Sequence, residues 1–451
     1  MTEDMSTREK EKHERFEDEY ALKPIPLELR KSWKYHAAVW AGVAFVVAAL
    51  MGGATPLTIL PFWPALATII IGNLILWTIF TLTSYMGAKT GLNTYVLAEH
   101  AFGRYGARVL INLVASGIPS FAWYGIETWL AAAAIAVVLG WNVGGPGRLM
   151  DLPTAVFTMA SGIIMAIPPI LGIVSMALID FVAIPVMALL TAYGLYLGIQ
   201  LGIAGELFRY VPPGFTPAKL LPDFMIALNA VIGLVIVGAT IAADTARWIK
   251  PEKRGVILAG LLGFFSVAVF MEIVGMFFAI AAVKAGLNAS LAWNIILVLK
   301  QLGVATGPLW PLLVLVYVLQ FTTNMLNAYS GGLALTATVG KPKLRPWLTL
   351  AGAIVGSLVA VLGIVWYWIP FLTTLANWIA PIAAVLLVEF YLISKGRLTE
   401  RPAIRPEAII AWFLGGLTSY LLTVHAPYFV PCLAGMAVAA AIHYIARRLR
   451  R

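Results

Sequence analysis

A tryptophan and a carboxylate lie four residues apart inside one long apolar run. The run extends from Ala107 to Trp141 and contains Trp123 and Glu127. Residues four apart share one face of a helix, so a flat aromatic surface would lie beside a hydrogen-bonding carboxylate. Such a pair suits a planar polar heterocycle. The alternative is a membrane-facing tryptophan and a protonated glutamate paired in the core, because an unpaired charge at membrane depth is costly.

Two buried carboxylates could also bind protons. A carboxylate only accepts hydrogen bonds, whereas a carboxylic acid also donates one. Loss of water at membrane depth favours the neutral acid, so Glu127 could itself couple a proton to a substrate. Glu272 lies halfway along another apolar run. For Glu272 a structural pair with another core group is the preferred interpretation, and proton coupling is the alternative.

A third polar segment could bind a cation. Gln320 to Asn327 contains Thr322, Thr323 and Asn324 in an otherwise apolar stretch. Two adjacent hydroxyls together with free backbone carbonyls suit a small hard cation, which takes oxygen ligands. The alternative is that the hydroxyls bond to the preceding helical turn or bridge two helices.

The composition identifies an integral membrane protein. The 451 residues are 61% apolar and only 12% charged, whereas a soluble protein carries about 25% charged residues. The single cysteine, Cys432, excludes an internal disulfide and a multi-cysteine metal site. No phosphate-binding glycine loop, HExxH motif or Ser/His/Asp arrangement is present, so the sequence predicts a transporter and not an enzyme or an ATP-driven pump.

Apolar runs of about 20 residues predict an all-α polytopic protein with twelve transmembrane helices. They are called spans 1 to 12 here and cover 35–55, 64–87, 107–139, 153–174, 180–203, 224–246, 255–283, 308–336, 347–367, 370–394, 407–425 and 429–446. Their length and all-round apolarity exclude the alternating strands of a membrane barrel.

Basic residues predict the orientation in the cell membrane. All but five of the 31 Lys and Arg residues fall in the termini and even-numbered loops, and the exceptions are Arg148, Arg209, Lys219, Lys284 and Lys300. Basic loops stay inside, so both termini are predicted to be cytoplasmic. The net charge of +10 is thereby explained without nucleic acid. The oligomeric state is left open, and a monomer is compatible with the sequence.

Span counting predicts an inverted repeat. A polar stretch at 204–223 separates two sets of five spans, which must have opposite orientations because five is odd. The predicted organisation is a cytoplasmic tail at 1–34, a first repeat at 35–203, an external loop at 204–223, a second repeat at 224–394, two further helices at 395–446 and a basic cytoplasmic end at 447–451.

The first helix of each repeat is predicted to be interrupted. Span 1 contains Gly42, Gly52 and Gly53, and span 6 contains Gly233 and Gly238. Discontinuous helices in inverted-repeat transporters expose backbone groups to substrate and ion. The alternative is that these glycines allow close helix packing.

Five segments, in order along the chain, resemble the nucleobase–cation symporter-1 family, in its cytosine/purine/hydantoin permease group. They are Gly87-Ala88-Lys89-Thr90-Gly91-Leu92 running to Ala101-Phe102-Gly103, Ala122-Trp123-Tyr124-Gly125, Gly238-Ala239-Thr240 followed by Asp244 and Arg247, Phe321-Thr322-Thr323-Asn324, and Pro381 with Glu389. The resemblance implies a leucine-transporter-type fold and cation-driven import of a heterocycle, usually with sodium or protons.

The resemblance also implies roles for individual residues. Trp123 would stack on the substrate ring, Glu127 takes the place where some members have glutamine, and Asn324 would contact the substrate or brace the site. The implied sodium ligands are the hydroxyls of Thr322 and Thr323 and the carbonyls near Gly42, Phe45 and Leu319. The candidate substrate contacts are Ser120, Trp123, Glu127, Gly233, Leu234, Val235, Val237, Asn324 and Asn327.

Two departures from the family leave the substrate open. Span 6 has Leu234, Val235 and Val237 where cytosine-type members have polar or aromatic residues, and Ala328 takes the place of a later asparagine, with Asn327 adjacent. The alternatives are an uncoupled facilitator or channel, or a symporter of an unrelated small solute such as an amino acid or a vitamin on the same fold.

Overall fold

The computed structural model describes residues 23–171, 188–194, 196, 205 and 208–450, and these are largely helical. Within this part of the chain, nine helices are long and apolar enough to cross a membrane: Phe62–Thr90, Arg104–Val138, Leu152–Leu171, Pro217–Ala246, Lys253–Lys284, Pro311–Val339, Ile364–Ile393, Pro406–His425 and Pro431–Leu449. A bent pair, Trp33–Ala44 and Val47–Thr58, makes up span 1, and the shorter helix Arg345–Val361 makes up span 9. The predicted span 5 lies mostly outside the described residues, so a count of twelve is not confirmed.

The helices pack in two groups. Span 2 packs on span 6, and both halves of span 1 pack on span 7 or its first turns. In the second group span 3 packs on span 8, span 4 on span 9, and spans 8 and 9 contact each other. Span 10 packs on span 6 and joins it to spans 11 and 12. Direct contacts of span 3 with span 8, and of span 4 with span 9, join corresponding helices of the two predicted repeats.

Span 1 is interrupted, as the sequence predicts, but not at a glycine. The first half ends at Ala44, Phe45 (φ −90°, ψ 62°) and Val46 (φ −131°, ψ 160°) leave helical geometry, and the two halves meet at 64°. The last turn of a helix leaves backbone carbonyls without helical partners. Gly42 and Phe45 belong to this turn, so their carbonyls are available for other contacts.

The second predicted interruption, in span 6, is wrong. The helix Leu220–Thr240 is continuous through Gly233 and Gly238 and ends only at Ile241. A Cβ atom on Gly233 would lie 1.9 Å from the carbonyl oxygen of Leu372 in span 10. The glycine therefore allows two helices to pack backbone to backbone, which is the use that the sequence alone could not separate from unwinding.

The end of the predicted N-terminal tail is packed against the helices. Ile25 is fully buried, and its N–H donates to the Gly91 carbonyl at 3.1 Å. The guanidinium of Arg30 donates to the carbonyls of Ile25 and Ala88. Residues 23–32 therefore pack against the end of span 2. The first half of span 1 begins after them, at Trp33.

Candidate functional site

Span 3 carries Trp123 to the junction of two apolar clusters. One cluster surrounds the second half of span 1 and span 7, and the other surrounds spans 2, 6 and 10. Five partly buried side chains pack against both clusters: Trp123, Phe224, Val235, Val267 and Phe371. Two of the predicted contacts, Trp123 and Val235, are thus among the side chains that border both clusters, although they lie in different predicted repeats.

Two aromatic residues that the sequence did not single out meet Trp123 there. Its ring contacts Trp368 edge to face at a centroid distance of 5.6 Å, and Phe371 at 5.1 Å, both at 80°. Trp368 in turn donates its indole N–H to Thr55 at 2.8 Å and stacks on Trp293. Aromatic groups at the start of span 10 therefore lie next to Trp123. In the sequence, the signal for these two contacts was the run of aromatic residues at the start of span 10. Which side chains those aromatic residues meet depends on the fold.

Glu127 lies one turn after Trp123 and is 2% exposed. The side-chain amide of Gln320, on span 8, donates a hydrogen bond to its carboxyl group. The partner is a neutral amide, and no cation is among the hydrogen-bond partners of this carboxyl group in the residues that the structure describes. The Gln320 bond is the core pairing expected in the alternative interpretation of Glu127, and contact of Trp123 and Glu127 with a substrate stays a prediction.

Asn324 braces spans 3 and 8. Its amide nitrogen lies 2.8 Å from the Thr128 hydroxyl oxygen and 3.2 Å from the Tyr124 carbonyl oxygen, and it also contacts the sulfur of Met165 at 3.4 Å. The side chain is fully buried, and its oxygen has no hydrogen-bond partner. Of the two roles that the resemblance implies, bracing is the one that these contacts support.

The other candidate substrate contacts have different surroundings. Ser120 on span 3 and Asn327 on span 8 are half-buried. Leu234 is 8% exposed and packs over Gly52 of span 1, while Val237 is half-buried against the cluster of spans 2, 6 and 10. Gly233 faces span 10, as described above. Their contact with a substrate stays a prediction.

The candidate cation ligands are oxygen atoms on spans 1 and 8. The hydroxyls of Thr322 and Thr323 both donate to the Leu319 carbonyl, at 2.8 and 3.3 Å. Each hydroxyl keeps its lone pairs for a cation while its hydrogen is donated. The two bonds to Leu319 are the bonds to the preceding turn expected in the alternative interpretation. The remaining lone pairs, with the carbonyls of Gly42 and Phe45 at the end of the first half of span 1, are oxygen donors of the kind that a hard cation such as sodium takes. Joint coordination by the five residues stays a prediction.

Comparisons with known proteins agree with the helical architecture. A family model described as "Permease for cytosine/purines, uracil, thiamine, allantoin" matches residues 24–445. The cytosine permease of Escherichia coli (strain K12) is 28% identical over 408 residues, covering 88% of each chain. The hydantoin permease of Microbacterium maritypicum is 23% identical over 438 residues, covering 91% of this chain and 85% of the relative.

Solved structures share the fold. The inward-facing conformation of Mhp1 aligns with a TM-score of 0.75 and 20% identity, over 95% of this chain and 92% of the other. Mhp1 in a closed conformation with bromovinylhydantoin bound aligns with a TM-score of 0.72 and 20% identity, over 95% of both chains. The chain thus has the leucine-transporter-type architecture, and its relatives are permeases, not enzymes.

Proposed function

Because the chain belongs to the family of permeases for cytosine/purines, uracil, thiamine and allantoin, we propose that it is a symporter that imports a nucleobase or a related planar heterocycle across the cell membrane. Its coupling ion is sodium, or alternatively a proton. Two relatives are named for cytosine and for hydantoin transport, and both names refer to small planar rings with N–H and C=O groups.

The observation that carries the substrate class is the arrangement of Trp123 and Glu127. Trp123 is only partly buried at the junction of the two clusters, and Glu127 lies one turn further along the same helix. An aromatic face binds any flat heterocycle, and a nearby carboxyl group accepts hydrogen bonds from ring N–H groups. The aliphatic side chains of span 6 favour a ring that has one edge of lower polarity.

Alternating access supplies the mechanism. Cation binding between spans 1 and 8 stabilises the state that accepts the substrate from outside. By linkage, the cation and the substrate each raise the affinity for the other by the same factor. The interruption at Phe45 and Val46 divides span 1 into two helical segments. In the proposed cycle these residues act as the hinge about which the two segments reorient.

A thermal-shift screen of the purified protein tests the substrate class. Purines, pyrimidines, hydantoins and vitamins are each added with and without sodium. We expect one planar heterocycle to raise the melting temperature, and sodium to strengthen that shift. Amino acids are added in a parallel series, and a shift with amino acids alone would contradict the proposal.

An uncoupled facilitator is the second candidate, since it would have the same helices. Proteoliposomes with an imposed ion gradient distinguish the two. A symporter accumulates the substrate above its outside concentration, whereas a facilitator only equalises it.

A further inference from the structure

We infer that Glu272 and Asn73 form a proton-binding site inside the group of spans 1, 2, 6 and 7, separate from the candidate cation site on spans 1 and 8. The inference rests on the proposed function in one respect: the proton is assigned to the transport cycle. The binding site itself is argued from contacts that do not depend on any substrate.

The two side chains face each other in a buried setting. Asn73 of span 2 is fully buried and Glu272 of span 7 is 1% exposed. The amide nitrogen of Asn73 lies 3.1 and 3.0 Å from the two carboxyl oxygens of Glu272, and 3.0 Å from the Ile69 carbonyl oxygen. One nitrogen with two hydrogens thus faces three oxygens.

The amide oxygen of Asn73 has no hydrogen-bond partner although it is buried. A buried acceptor without a donor costs about 1–3 kcal/mol. A carboxylate cannot supply that donor, but a carboxylic acid can. With a proton on Glu272 and a small rotation of the amide, the acid O–H donates to the Asn73 oxygen. The amide N–H groups then bond to the other acid oxygen and to Ile69, so every polar atom has a partner.

Among the described residues, no cation is positioned to balance a negative charge on Glu272. In the described part of the chain, the titratable groups on the elements packed around span 7 are engaged elsewhere or lie at exposed ends. The second half of span 1 carries none, His36 of the first half bonds to Ser84, and Tyr193 of segment 188–194 packs on Phe278. The remaining groups on these elements and on span 7 itself are Lys34, Tyr35, Tyr85, Lys89, Lys253, Arg254, Lys284 and Lys300, all near helix ends.

The site is positioned to respond to span 1. A Cβ atom on Gly53 would lie 1.8 Å from the Glu272 carbonyl oxygen, and one on Gly275 would lie 1.9 Å from the Leu50 carbonyl oxygen. Span 7 therefore packs backbone to backbone against the second half of span 1. Movement of that half in the proposed cycle would alter the packing beside Glu272, and this is the step at which we propose that water reaches the carboxyl group.

The proton reaction is simple. A carboxylate oxygen of Glu272 forms an O–H bond with a proton from water in a state where the site is wet. The acid is held in the buried arrangement of this structure, and the same O–H bond breaks when water reaches the carboxyl group again. Release to the opposite side would move one proton per cycle.

Infrared spectroscopy of the purified protein in lipid tests the binding site without any substrate. We expect a carboxylic-acid C=O band that disappears in Glu272→Gln. Glu127→Gln is the matched control, because it removes another buried carboxyl group that faces an amide, and it should leave the Glu272 band in place. Asn73→Ala should keep the band but shift its position, since the acid loses its partner. An unchanged spectrum in Glu272→Gln would overturn the inference.

Transport assays test the role in the cycle. In proteoliposomes, Glu272→Gln should lower the stimulation of uptake by an inward proton gradient at least tenfold, while exchange of labelled for unlabelled substrate continues. If the band is lost but the stimulation is unchanged, the pair is only structural and the coupling role is wrong. If no heterocycle is transported by the parent protein, the proposed function fails, and the infrared result still decides whether Glu272 holds a proton.

Discussion

The side-chain amide of Gln320 donates to the carboxyl group of Glu127, across 193 positions of sequence. The same chemistry recurs where Asn73 meets Glu272. The first pair joins spans 3 and 8, and the second joins spans 2 and 7. In the predicted inverted repeat, spans 3 and 8 correspond, as do spans 2 and 7, so each pair joins two corresponding helices. Within the part of the chain that the structure describes, neither acid has a cation as a hydrogen-bond partner.

Replacing Trp123 should weaken substrate binding and leave the ion site intact. Stacking of a base on an aromatic side chain is worth about 1–3 kcal/mol, so Trp123→Ala should raise the dissociation constant roughly 5- to 150-fold. Trp123→Phe should retain part of the affinity. Trp347→Ala is the control, because that tryptophan is 69% exposed on span 9. Unchanged uptake by Trp123→Ala at equal expression would contradict the stacking role.

Removing the amide opposite Glu127 should destabilise the protein. Gln320→Leu leaves a buried carboxyl group without its donor, at a cost of about 1–3 kcal/mol. Glu127→Gln should be milder, because two amides still offer both a donor and an acceptor. The double variant Glu127→Leu with Gln320→Leu should recover stability, since no buried polar group is left unpaired. Melting temperatures in detergent measure all three, and a fully stable Gln320→Leu would show that the bond contributes nothing.

The threonine hydroxyls of span 8 should be needed for the sodium response. Thr322→Val and Thr323→Val each remove an oxygen ligand, so the sodium concentration required for half-maximal uptake should rise about tenfold or more. Thr338→Val is a matched control on the same helix, where the hydroxyl donates to the Ala334 carbonyl in the same way. Equal sodium responses in the three variants, or uptake that follows only a pH gradient, would remove this sodium site.

Replacement by alanine should lower the stability of the protein at Gly233 but not at Gly42. Gly233→Ala places a Cβ atom 1.9 Å from the Leu372 carbonyl oxygen, whereas a Cβ atom on Gly42 meets nothing within 4 Å. Overpacking against a flexible side chain costs about 1–3 kcal/mol, and backbone yields less easily. Gly233→Ala should therefore lower the melting temperature and Gly42→Ala should not. A Gly233→Ala protein as stable as its parent would indicate that spans 6 and 10 separate readily at this point.

The sequence by itself determined the membrane class, the position of most spans and the shared helix face of Trp123 and Glu127. These features are local: hydropathy over about 20 residues and a four-residue spacing need no knowledge of other helices. The resemblance of short motifs added the family and the expected fold.

Only the tertiary structure decided which residues meet. Phe371 next to Trp123, Gln320 on Glu127 and Asn73 on Glu272 are contacts between helices distant in sequence, and no local pattern encodes them. The same holds for Gly233, because a glycine in a membrane helix permits either unwinding or close packing. The neighbouring backbone of Leu372 selects packing, since no side chain fits between the two helices.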